Sequence, residues 1–206
     1  MESRAISNEV VKITQSLGFL LSLDDNHRMN KLKLVKLVWA ADRYHLRKYG
    51  RTVTDSEYFA LPHGPVSSLT LDIINDNEIA LRKEDLSFIA EHITSWENDK
   101  NQVVLYNKTE DDYLSESDKE ALGFAWETFG DKDPFELADD ITHKYPEWSK
   151  FSEHFGINNK PGRRPIDLGD FFKNPSEDAF FAADDNVLAA SKELYEQNKA
   201  DAELLG

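Results

Sequence analysis

Apolar residues recur at steps of three and four near the start of the chain, where Ile6, Val10, Ile13, Leu17 and Leu20 share one face of a helix predicted over residues 6–21. LDDNHR breaks that period with turn and cap formers. A second helix, the most apolar of the chain, is predicted from Met29 to Gly50, a residue suited to a helix stop. After ALPHGP, the run VSSLTLDIIN predicts a shorter helix with Pro65 in its first turn, where proline's missing N–H would be unbonded anyway. HITSWENDKNQVVLYN changes character: β-branched and aromatic residues flank the turn formers ENDKN, which predicts a hairpin. Helical spacing returns at Leu122, Ala125, Trp126 and Phe129, with Ser115 or Ser117 as N-cap and Gly130 as stop. In DKDPFELADDITHKY, Asp133 is the next N-cap, Pro134 sits in the first turn and Glu136 follows three residues after the cap. YPEW forces a new start, KPGRRPIDLGDFFKNPSED reads as an extended surface stretch, and a last helix covers about 184–203. The expected fold is mainly α (α+β), a compact helical domain with a small antiparallel hairpin or sheet. Residues 1–175 form the domain, and 176–206 form an acidic helical segment packed on it or extending it.

On a helical wheel, Lys33, Lys36, Ala40, Arg43 and Arg47 of the second helix fall on one narrow stripe opposite a wide apolar face. Two readings stand. The stripe is a solvated face, whose ion pairs would contribute up to ~1 kcal/mol each, or it meets carboxylates of the same chain, for instance those of the last helix. Asp42 and His45 lie within the apolar arc, three residues apart and so neighbours on the helix surface. A buried carboxylate needs partners, and the pair is either an acid–base dyad or a structural pair that fixes how the next loop docks. His63, just before Gly64 and Pro65, sits at a turn ahead of a helix start, a place for an anion or only a corner. The further glycines and the lysine or serine of a phosphate loop are missing there.

Length, composition and charge narrow the classes. The 206 residues suit one domain, 40% of them are hydrophobic, and no apolar run approaches the roughly 18 residues that span a bilayer. With no cysteine and no apolar leader at its start, the chain is expected to be cytoplasmic. A net charge of −15, from 24 basic and 39 acidic residues, repels nucleic acid and anionic lipid and favours a basic partner. The histidines show no metal-ligand spacing, so neither metal nor cofactor is expected.

The stretch MNKLKLVKLVWAADRYHLRKYGRTVTDSEYFALPHGPVSS resembles the core signature of the Panacea (SocA-like, GepA-like) family. Its elements are a KLxKL helix (Lys31–Leu37), a DxxHLxxYGR ending (Asp42–Arg51), an ExxA step (Glu57–Ala60) and a GPV turn (Gly64–Val66). A second block resembles the family at Phe129–Gly130 and at Thr142, His143 and Trp148, so the likeness covers roughly residues 6–172. It implies an antitoxin of a toxin–antitoxin system, of the kind used in phage defence, that neutralises a cognate toxin by direct protein contact without catalysis. The alternatives are a proteolytic adaptor that delivers the toxin to an AAA+ protease, an enzyme using Asp42, His45 or His63, and, last, a DNA-binding protein. The residues taken as structural motif are Asp42, His45, Gly50, Gly64, Pro65, His143 and Trp148. Those taken as partner-binding are Leu37 and Tyr44, read as exposed, His63, and the tail aromatics Phe171, Phe172, Phe180 and Phe181.

Overall fold

A computed structural model describes residues 5–155, 162–178 and 180–205. Asn8–Ser22 forms α1 and Lys31–Tyr49 forms α2, with strand β1 (Arg28–Asn30) between them. Met29 therefore belongs to a strand and not to the second helix. The boundary is set by Asn30, whose Oδ1 accepts the N–H of Leu32 at 2.9 Å and so caps α2 one residue after Met29. The far end stops at Gly50 as expected, with φ at +70° and its N–H donated to the Leu46 carbonyl at 3.0 Å.

ALPHGPVSS folds differently from the prediction. Tyr58–Leu61 forms β2 and Gly64–Ser67 forms β3, an antiparallel hairpin that pairs Ala60 with Pro65 across a turn of only Pro62 and His63. Pro65 is thus a strand residue. Among the described residues β3 is an edge of its sheet, paired with β2 alone, where a missing N–H breaks no ladder. Ser67 then caps the short helix α3 (Ser68–Ile74), its Oγ accepting the N–H of Thr70 at 3.3 Å.

Lys83–His92 forms α4 and runs directly into the predicted hairpin, β4 (Ile93–Trp96) and β5 (Asp99–Leu105), with β1 on the other side of β5. Helix α5 (Glu116–Phe129) opens on a capping box between Ser115 and Asp118. Asp133 caps the next segment as predicted, accepting from the N–H groups of Phe135 and Glu136, but the chain then takes a π-helical path over Glu136–Ile141 and a 3-10 turn over Thr142–Lys144. Pro146–Ser149 and Ser152–Phe155 form α6 and α7. Within the stretch expected to be extended, 160 and 161 lie outside the described residues. The rest holds β6 (Arg164–Pro165), paired with β2, and a 3-10 helix at Leu168–Phe172. Asp185–Leu205 forms α8.

The described residues form a mainly helical α+β fold with two small antiparallel sheets. α2 is its axis, touching α1, α5, α8 and β3. Leu34, Leu37, Val38, Trp39, Ala41 and Leu46 are all buried in one core with Leu17 and Leu20 of α1 and Leu122 and Phe129 of α5. Each such large side chain contributes roughly 1.5–3 kcal/mol by leaving water. Among the described residues, no helix is long and apolar enough to cross a membrane.

Candidate functional site

Lys36, Arg43 and Arg47 of the α2 stripe are buried, so the stripe is not a solvated face, and the partners they bond do not come from α8. Arg43 is fully buried, and its Nη1 donates to both carboxylate oxygens of Glu147 at 2.9 and 2.7 Å, while Nη2 reaches the Lys173 carbonyl at 2.7 Å. Trp39 Nε1 donates to the same carboxylate at 3.1 Å, and the Arg43 guanidinium lies over the Tyr145 ring at 4.4 Å. Arg47 donates to the carbonyls of Phe171 and Phe181 and to Asn174 Oδ1 at 2.6 Å. Two guanidiniums from one helix face therefore clamp the end of the Leu168–Phe172 3-10 helix and the chain beyond it, giving the carbonyls of Phe171, Lys173 and Phe181 the donors that a ladder would otherwise supply. Burial lowers the Arg47 guanidinium to about 10. Lys36 is buried too, its Nζ donating to the Pro65 carbonyl at 2.8 Å, and burial pulls its ammonium down to about 7.

Asp42 and His45 are neighbours in sequence but serve different partners. Asp42 accepts from the N–H groups of Val53 and Thr54, from Thr54 Oγ1 and from Tyr58 OH at 2.7 Å. Burial still raises its carboxyl to about 6 against those donors. His45 Nδ1 bonds the Arg51 carbonyl at 2.7 Å and Nε2 the Ser117 hydroxyl at 3.0 Å, and burial lowers the ring to about 4. Both side chains are spent on holding the loop after α2, Asp42 to Thr54 and β2, His45 to Arg51 and the cap of α5.

At the tip of the β2–β3 hairpin His63 is exposed, with Nδ1 3.2 Å from Asp139 Oδ1. His143 stacks flat on Trp148, ring centroids 3.4 Å apart at 6°, and Trp148 Nε1 donates to the Leu61 carbonyl at 2.7 Å. Gly64 has φ at +98°, and a Cβ there would stand 2.3 Å from Thr142 Oγ1 and 2.8 Å from Lys36 Nζ. The two family-like blocks are thus in contact: GPV of the first rests on Thr142, and Leu61 beside it is held by Trp148 of the second. Among the described residues no group of three or more His, Cys, Asp or Glu side chains could hold a metal ion.

The expected partner anchors separate into two groups. Leu37, read as exposed, is fully buried in the core, and Phe171, Phe172 and Phe181 are buried as well, Phe181 alone of the four edging a groove. A helix wheel could not show this, because the elements covering Leu37 come from distant sequence. Tyr44 and Phe180 are half-buried and meet at a groove of about 290 Å³, with Phe124, Phe181, Lys48 and Val187 completing its walls. Tyr44 stacks on Phe124 at 4.3 Å between centroids, and Phe124 packs on Phe181 at 5.6 Å. Phe124, absent from the expected set, was hidden by its position on a helix whose neighbours Leu122 and Ala125 are core. Glu120 fixes the rim by accepting from Tyr44 OH, Lys48 Nζ and Tyr49 OH, and these donors hold its carboxyl down to about 2.

Residues 34–149 match the family described as antitoxin SocA-like, Panacea domain. That is more than half of the chain, and the chain belongs to this family. No curated protein and no solved structure matches it.

Proposed function

From that membership we propose that the chain is the antitoxin of a toxin–antitoxin pair, acting in the cytoplasm by binding its cognate toxin directly, without chemistry of its own. The single observation that carries the reading is the family match over residues 34–149. The side chains that looked most catalytic support it: Asp42 and His45 are each consumed by hydrogen bonds to the same chain. Charge supports it further. At −15 the molecule attracts basic surfaces, such as those of proteins that handle RNA or nucleotides, and repels nucleic acid itself. The test is coexpression with the toxic product of the adjacent reading frame. Growth is restored and the two proteins copurify as a complex; continued toxicity without a complex would sink the reading.

A further inference from the structure

The groove lies where the C-terminal half of α2, the middle of α5 and the approach to α8 meet. Its floor is aromatic, built from Tyr44, Phe124 and Phe180, and Val187 forms an apolar wall that remains 43% exposed. Neither cation at its edge is free to take an anion. Lys48 is tied to Glu120, and Arg47 is spent on the carbonyls of Phe171 and Phe181 and on Asn174. The other ionic groups there are exposed acids: Asp184 lines the groove while its Oδ1 caps α8 by accepting the N–H groups of Asn186 and Val187, and Asp185 follows it. Along exposed α8, Glu193, Glu196, Asp201 and Glu203 outnumber Lys192 and Lys199, of which Lys192 lies 3.7 Å from Glu196.

We propose that this groove is where the toxin docks, and that its occupant is a toxin segment carrying a large apolar or aromatic side chain flanked by lysine or arginine. This deepens the antitoxin reading and rests on it. At about 290 Å³ the space is at the lower edge of pockets that hold a small-molecule ligand, and suits the insertion of a protein side chain better. The inserted group packs on Phe124 and Phe180, and its cationic neighbours meet Asp184 and Asp185 at the rim. A second copy of this chain is disfavoured as occupant, because it would bring another −15 to an acidic rim. The rim's hydrogen-bonded network needs no reordering on binding, which lowers the entropic cost of association.

The test measures equilibrium binding between the full chain and the purified product of the adjacent reading frame. Val187→Arg fills the groove and reverses its charge preference, Asp185→Lys changes the rim alone, and Phe135→Arg alters an exposed ring on the distant hairpin face as a control. Val187→Arg is expected to weaken binding at least 100-fold and Asp185→Lys about tenfold, with the Asp185→Lys loss shrinking at high salt, while Phe135→Arg stays within twofold. Hydrogen exchange on the wild-type complex keeps the proposal testable if Val187→Arg fails to fold: residues 180–190 and 120–127 become protected. Wild-type binding that survives both groove variants, or protection confined to residues 58–67, overturns the groove and leaves the antitoxin reading standing. Absence of any wild-type complex, with no rescue of growth, overturns both.

Discussion

Gly64 shows how a short motif can be a packing requirement. Its φ of +98° disfavours any side chain, and the space a Cβ would take is already held by Thr142 Oγ1 and Lys36 Nζ. Gly64→Ala is expected to lower unfolding stability by about 2 kcal/mol or more, read as a shift in the denaturant midpoint; an unchanged midpoint would show that the hairpin gives way freely. His143 makes a different prediction. Burial holds its ring down to about 4, with Asp139 pulling the other way, whereas an unfolded histidine titrates near 6.5. A base with a depressed folded pKa costs stability as pH falls, from below about 6.5 until the cost is complete near 4. His45 behaves alike, while Asp42, raised to about 6, favours folding over part of the same window. A comparison isolates one group: His143→Phe keeps a ring on Trp148 but cannot be protonated, so it should lose less melting temperature between pH 7 and pH 5 than the wild type. Parallel losses would contradict the assignment.

Among the elements, α8 divides the molecule's contacts unevenly. Its first half packs through Leu188, Ser191 and Tyr195, with Ser191 and Leu194 seated against Gly50 and Tyr195 against Phe172. From Glu196 to Leu204 every residue is exposed. Truncation after Tyr195 should therefore leave the melting temperature within about 2 °C, whereas truncation before Asp185 uncovers Phe172 and Gly50 and should lower it by several degrees. Equal effects would mean that the exposed half has a packing role. The elements were legible where periodicity and caps act within a few residues: α1, most of α2, the β4–β5 hairpin and α5. Pro65 misled because the same missing N–H suits a helix's first turn and an edge strand, and only β2 decides between them. The basic stripe misled for a related reason. Its spacing is identical whether water or Glu147 and the 171–181 carbonyls lie opposite, and those partners are about a hundred residues away.

At the scale of the whole molecule, the two sequence blocks that resemble the Panacea signature are the two sides of one joint, Gly64 on Thr142 and Leu61 on Trp148. The motif residues at that joint pack one part of the fold on another, and the docking surface we propose lies outside it. That surface is acidic, with the Tyr44–Phe124–Phe180 groove set beside the acidic face of α8. Tyr44 and Phe180 were visible in sequence as aromatic candidates, but nothing local distinguished them from Phe171, Phe172 and Phe181, which the Arg43 and Arg47 clamp draws inward. The most direct measurement is a titration of the purified toxin's activity with this chain alone, in the absence of any protease. Direct neutralisation predicts that activity falls linearly to zero at a fixed small-integer ratio with the toxin intact. Full activity at a large excess of this chain would contradict it.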